Sequence, residues 1–252
     1  MLRCEQVGMC YGQFMLGPID VQVLAGRVTA LVGPNASGKT TMLSVLGGMR
    51  QPTHGCVVLG DRAVDTLTHR QRAADLVSLT QRPSAGGGML VRELVALGRL
   101  LRHSDDAAVD AAIDSMELGP LECVPMGQLS VGQSQRAHLA RVLAQASPQA
   151  VLVLDEPTAP LDPTWARKTW TALHAHARGG GAVVLAVHDV AIAADQADDA
   201  WVLNAGAMVA AGPALEVLSP GPLEHVFGHS FEWANRSDGS RWLVPSPQQR
   251  TS

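Results

Sequence analysis

Residues 33 to 40, Gly33-Pro34-Asn35-Ala36-Ser37-Gly38-Lys39-Thr40, fit the pattern G-x-x-x-x-G-K-[ST] with no mismatch. The chemistry of such a loop is phosphate binding. Gly33 and Gly38 let the backbone bend so that successive N–H groups converge on one anion. The N-terminus of a following helix adds its partial positive charge at the same place. Lys39 can reach the outer phosphates and the Thr40 hydroxyl can ligate Mg²⁺, with Thr41 beside it at the phosphate end of the helix. A second stretch, Val151-Leu152-Val153-Leu154-Asp155-Glu156-Pro157, is an apolar run that ends in two carboxylates. In open parallel sheets the ligand crevice lies at the carboxyl ends of the strands. Asp155 there suits Mg²⁺ held through water, and Glu156 suits polarising a water that attacks a terminal phosphate. A third stretch is Leu129-Ser130-Val131-Gly132-Gln133. Ser130 is a natural N-cap, so the helix after it presents a second N-terminus to an anion.

The elements that must position these residues can be read around them. Arg27 to Val32 reads as a buried strand entering the glycine loop, and Thr41 to Met49 as the helix leaving it. Residues 1 to 60 are rich in strand signals at Val7, Phe14–Ile19, Val21–Leu24 and Cys56–Leu59, set between glycine turns. From about 83 to 148 the spacing turns helical, over Val91–Leu101 and Ala107–Leu118. Ser84-Ala85-Gly86-Gly87-Gly88 forms the join, Ser104 an N-cap, and Asp105 and Asp106 the first turn of the second helix. Beyond 150 a parallel α/β order follows: strand Val151–Leu154, helix Thr164–Ala177, strand Ala182–Val187, helix Val190–Asp198. Trp201–Asn204 and Ala207–Ala211 flank Ala205-Gly206 as a hairpin. The tail from Ser237, with Pro245 and Pro247, reads as loosely ordered.

The 252 residues suit one large domain, and 46% apolar with 17% charged residues marks a globular chain. A net charge of −4 and a pI near 6.1 give no support to a nucleic-acid surface. Cys4, Cys10, Cys56 and Cys123 contain no C-x-x-C pair and read as reduced thiols packed in a cytosolic core. No charged-then-apolar leader opens the sequence. The apolar runs Ala150–Leu154 and Ala182–Val187 are too short to span a bilayer, so a membrane role requires a partner. His225 and His229 have metal-ligand spacing, but Gly228 interrupts the helix and no acidic or cysteine partner is near. His174 and His176, two apart on a helix, face different directions.

Taken together, the motifs resemble one family, the nucleotide-binding subunits of ATP-binding cassette (ABC) transporters. Its signature is Leu-Ser-Gly-Gly-Gln, followed shortly by the second carboxylate motif; here 26 residues separate Leu129 from Asp155. Val131 departs from the family glycine. Glycine admits close backbone approach to phosphate, whereas valine keeps the N–H but stiffens the turn and adds two methyls. The resemblance extends to further residues. Tyr11, the single tyrosine, lies 22 residues before Gly33, where the family has an aromatic that stacks on adenine. Gln81 is similar to the family glutamine that touches Mg²⁺ and the attacking water. Ala159-Pro160-Leu161-Asp162 resembles the loop that crosses the dimer interface. His188 resembles the switch histidine at the γ-phosphate; its place in the order of motifs, not its residue type, sets it apart from eight other histidines.

The resemblance implies an α/β P-loop NTPase fold: a mostly parallel sheet flanked by helices, an N-terminal antiparallel β-subdomain and an inserted helical subdomain. The implied layout is an ATPase domain over 1–236 and a tail over 237–252. Within the domain, 1–82 and 149–236 form the catalytic core, and 83–148 the helical part with the signature. It implies ATP and Mg²⁺ as ligands and a head-to-tail dimer in which Ser130, Val131, Gly132 and Gln133 of one copy reach the ATP on Gly33–Thr41 of the other. It further implies transmembrane permease subunits, indirectly a substrate-binding protein, and a peripheral place on the cytoplasmic face of the inner membrane. Met89 to Arg99, Pro222–Phe227 and Trp242–Pro245 are similar to ATPases that serve iron–siderophore, haem and cobalamin permeases. Zinc or manganese import stays open, as does a soluble ABC-type ATPase acting away from membranes. Against the latter, only 48 residues without heptads separate Gln81 from Leu129.

Overall fold

The structure, a computed structural model, describes all residues except 13, 82, 84, 102–104, 238, 240 and 247–252. Its centre is a six-stranded sheet ordered β10-β9-β3-β8-β7-β6. These strands are β3 (Val28–Val32), β6 (Leu76–Leu79), β7 (Val151–Asp155), β8 (Ala182–Ala186), β9 (Asp199–Asn204) and β10 (Ala207–Pro213). All neighbours pair in parallel except β9 with β10. Every residue of β3, β7 and β8 is buried, and all but Thr29 and Asp155 are apolar, because both faces are covered. Their carboxyl ends deliver the glycine loop, Asp155 with Glu156, and Val187 with His188 to one edge.

The period of two along each strand splits the interior into two cores. Leu31, Val151, Val153 and Val184 face an antiparallel sheet ordered β2-β1-β4-β5 and the helix α1 (Lys39–Leu46). Its strands are β1 (Leu2–Tyr11), β2 (Phe14–Val23), β4 (His54–Leu59) and β5 (Arg62–Ala63). Ala30, Val32, Leu152, Leu154 and Leu185 face the other way, toward a mainly helical layer. Beside it stand α3 (Val91–Leu97), α4 (Asp106–Ser115) and α5 (Val131–Gln145); the short α2 (His69–Ala73) precedes β6. The chain continues through α6 (Pro163–Arg178), α7 (Val190–Gln196), α8 (Ala214–Val217) and α9 (Pro220–Phe227) to β11 (Phe231–Asn235) and β12 (Arg241–Pro245). Among the described residues no helix is long and apolar enough to cross a membrane.

Several boundaries differ from the sequence reading, each for a local reason. Helix α1 takes in Lys39 and Thr40 and ends at Leu46, not Met49, because Gly48 turns left-handed (φ 65°) and its N–H bonds Val45 O. Phe14–Ile19 and Val21–Leu24 are one strand, Phe14–Val23. Helix α3 stops at Leu97 rather than Leu101. At Gly98 a Cβ would lie 2.5 Å from Arg141 O, so glycine here permits close packing of α3 on α5. Helix α4 is capped by Asp105, which accepts from Ala108 N, while Ser104 lies outside the described residues. Helix α7 ends at Gln196, and Asp198 leaves it to accept Val28 N at 2.8 Å. The segment read as a loose tail contains β12, which pairs with β11 along five residues and buries Leu243. Of the four cysteines only Cys4 is buried; Cys56 is half-buried, and Cys10 and Cys123 are exposed rather than packed in the core.

Candidate active site

Tyr11, Phe14, residues 35–41, Arg50, Gln81, Glu156 and His188 line one cleft of about 700 Å³. The glycine loop is shaped by steric necessity. A Cβ on Gly38 (φ 108°) would lie 2.8 Å from the Phe14 ring, and one on Gly33 would lie 2.0 Å from Leu203 O. Lys39 is buried and bends back over the loop, donating to Gly33 O at 2.8 Å and Pro34 O at 3.0 Å. Burial lowers its pKa, and the nearby Glu156 and Asp155 carboxylates oppose that shift. Tyr11 is 69% exposed, with an aromatic face open at the cleft. Arg50 lies over its ring, 5.7 Å from the centre.

Asp155 closes β7 in the buried floor of the site. Burial raises its pKa; the Thr40 side chain, Lys39 and His188 pull the other way, and Glu156 adds to the rise. Asp155 Oδ1 and Ser37 Oγ are both buried without a hydrogen-bond partner among the described residues. Such orphaned oxygens beside a phosphate-type loop are sites for a ligand to complete. Glu156 follows in a left-handed conformation (φ 53°), which costs a side-chain-bearing residue about 1–2 kcal/mol. Its Oε2 accepts from Gln81 Nε2 at 2.8 Å and its Oε1 meets His188 Nε2 at 2.5 Å. Three residues from separate strand ends, 75 and 32 positions apart in sequence, thus form one polar chain at the mouth of the cleft.

The second helix N-terminus is built as its sequence suggests. Ser130 Oγ accepts from Gln133 N at 3.2 Å, and Gln133 Oε1 accepts from Ser130 N at 2.9 Å, a reciprocal capping box. Val131 opens α5 without a left-handed backbone, and its side chain is 74% exposed. The conformational freedom of glycine is therefore not required there; only the two methyls are added. A Cβ on Gly132 would lie 3.4 Å from Pro160 O, so the signature abuts the loop Ala159–Asp162. Asp162 caps α6, accepting from Thr164 N at 2.9 Å and Trp165 N at 3.0 Å. Neither Ser130–Gln133 nor Asp162 lines the cleft of the glycine loop, so one chain holds the two anion-directed helix ends apart.

Phe14 and Arg50 in the cleft are additions to the residues found by motif. Phe14 had a readable signal, since it stands opposite Tyr11 across the β1–β2 turn. Arg50 had none, because it reaches the cleft from the end of the α1 segment through tertiary packing.

Residues 16–159 match the family model described as ABC transporter. The hemin import ATP-binding protein HmuV of Pseudomonas fluorescens is 38% identical over 236 residues, covering 90% of this chain and 92% of its own length. The protein of the same name from Streptomyces coelicolor is 37% identical, covering 93% and 85%. Among solved structures, an ABC transporter of metal-chelate type in an inward-facing conformation superposes with a TM-score of 0.82, at 22% identity and 98% coverage of both chains. The dimeric bacterial ABC transporter cassette MJ0796 gives 0.76 at 23% identity, covering 85% of this chain and 99% of that one. A glycine loop, paired carboxylates and a capped signature helix, set in a fold and a sequence shared with these proteins, show that the chain belongs to the ABC transporter family, as one of its ATP-binding domains.

Proposed function

We propose that this chain is the ATP-hydrolysing subunit of an importer for haem or a related iron chelate, working through separate permease subunits. The observation that carries the hydrolytic part is the Gln81–Glu156–His188 chain at the lip of the phosphate-loop cleft. Relatives named as hemin import ATP-binding proteins, aligned along nine-tenths of the sequence, support the cargo class.

The geometry supports a set of roles. The loop 33–38 and the start of α1 receive the phosphates, Lys39 trades its carbonyl partners for phosphate oxygens, and Tyr11 offers its face to adenine. Thr40, Asp155 and Gln81 would hold Mg²⁺, for which the orphaned Asp155 Oδ1 is a fitting donor; the ion supplies neutralisation of phosphate charge. Glu156 takes a proton from water as the water oxygen bonds the γ-phosphorus and the bond to ADP breaks. His188, released from Glu156, donates to a γ-phosphate oxygen. Because the signature stands outside its own chain's cleft, ATP completes its contacts through Ser130, Val131, Gly132 and Gln133 of a second copy, with Asp162 at the same interface. ATP then favours the closed pair and hydrolysis releases it, which shifts the population of the permease's states. A substrate-binding protein delivers cargo from outside, and the ATPase sits peripherally on the cytoplasmic face of the membrane.

Glu156→Gln tests the scheme, because it removes the base and keeps the shape. Phosphate release should fall by about a hundredfold or more. ATP should remain bound and hold a dimer on size-exclusion chromatography with light scattering. Hydrolysis near the wild-type rate, or no ATP-dependent dimer, would overturn it.

A further inference from the structure

We propose that the C-terminal hairpin β11–β12 is a strut that fixes the His188 loop through α7, with Asp195, Arg236 and Trp242 as positioning residues for ATP hydrolysis. The inference rests on the hydrolytic reading above and assigns a job to a segment outside the family's matched region, residues 16–159.

Helix α7 begins two residues after His188 and spans only seven residues. A helix that short has no independent stability in water, so its position is set by what packs on it. Its N-terminus is pinned by Asp189, whose carboxylate accepts from Ala191 N at 2.8 Å and Ile192 N at 3.2 Å. Its other end is pinned by the hairpin. Arg236 Nη1 donates to Asp195 at 2.8 Å, and the same guanidinium lies over Trp242, 4.1 Å from the ring centre. The hairpin is itself anchored, since Leu243 is buried in the larger core and β12 pairs with β11 from Arg241 to Pro245.

The geometry then reaches the reacting groups. Trp242 is one wall of a cavity of about 450 Å³ whose other walls include Trp170, Ile192, Glu156 and His188. The His188 side chain is 50% exposed, and Glu156 is the partner that holds it. With so little packing on the imidazole itself, its aim depends on where the backbone of residues 188–190 sits, and hence on α7. Removing the indole enlarges the cavity under that backbone and leaves α7 room to shift. Small misplacements of a reacting group cost rate rather than binding. Nucleotide affinity, set by the loop 33–38 and Tyr11, none of which touches the hairpin cavity, should not change.

The test compares steady-state ATP turnover of the full chain and its variants, with active sites counted by bound nucleotide. Trp242→Ala and Arg236→Ala should each lower kcat about tenfold with KM for ATP within about twofold. Trp242→Phe should restore most of the rate, and the exchanged pair Asp195→Arg with Arg236→Asp should recover much of what either change loses. The His188 imidazole resonance in NMR should shift in both alanine variants. Wild-type kcat in both alanine variants, or a loss that appears in KM or in the fraction of competent sites, overturns the strut. Should an alanine variant fail to fold, Trp242→Leu, which removes the ring, and Asp195→Asn, which removes the charge facing Arg236, decide on the same readouts. A wild-type protein that releases no phosphate sinks the hydrolytic reading itself, whereas an active wild type with indifferent variants sinks only the strut.

Discussion

At the scale of single residues, the site separates side chains fixed by chemistry from one that departs from its family's usual choice. Val131 replaces the glycine of the resembled signature, yet its backbone lies in the helix and its methyls point into solvent. The capping box between Ser130 and Gln133, which orients the helix N-terminus, survives the change. Val131→Gly should therefore alter the ATPase rate by less than tenfold, a barrier change under about 1.4 kcal/mol. Steady-state hydrolysis checks this, and a change of two orders of magnitude would mean that the methyls take part in the closed site. Lys39, Asp155 and Glu156 were readable because a phosphate loop and a strand-end carboxylate pair dictate both residue type and spacing. The left-handed backbone of Glu156 was not, since no glycine marks it. Arg50 was hidden for another reason: its place beside Tyr11 depends on β1 and the end of α1 coming together, which no local pattern encodes.

At the scale of elements, the loop Ala159–Asp162, which follows β7, lies directly against the start of α5. Asp162 caps α6, and Trp165 in its first turn lies between Arg136 of α5, 3.8 Å from the ring centre, and Lys168, 4.4 Å from it. Lys168 in turn pairs with Glu117, and Arg136 donates to Met116 O at 2.8 Å, so α4, α5 and α6 meet at one aromatic ring. Losing the cap should loosen that junction. Asp162→Ala should cost about 1 kcal/mol of stability, and Asp162→Asn much less, because both Asn and Asp accept from the helix N–H groups. Urea unfolding measures both; equal losses for the two variants would show that charge, not capping, is what Asp162 supplies. The order of elements was legible from hydrophobic period and glycine turns, while their ends were not. Helix α3 stops at Gly98 because α5 comes close there, a tertiary fact. The β11–β12 hairpin escaped for a related reason: Trp233, Trp242 and Leu243 find their burial only after α7 and α9 are in place, and the proline-bearing stretch around them reads as coil.

At the scale of the whole molecule, two cores share one sheet, and the helical layer that carries the signature is tied to that sheet mainly through α5. His138 sits in this layer, buried on the inward face of α5. Burial, with a smaller contribution from the Arg141 charge, lowers its pKa from 6.5 to about 4. A group whose folded pKa is depressed favours the folded state fully above its unfolded value and loses that advantage as pH falls. The unfolded chain takes up the proton first, from about pH 6.5 downward, and the folded chain follows only near pH 4. Stability should therefore decline across that window. The prediction is a lower urea midpoint at about pH 5 than at about pH 7, with His138→Leu showing a visibly smaller drop between the two. The comparison within each protein cancels whatever the substitution does to packing at neutral pH. If the midpoints of wild type and His138→Leu fall in parallel, the acid sensitivity arises elsewhere, and the imidazole is accommodated in its charged form inside the core.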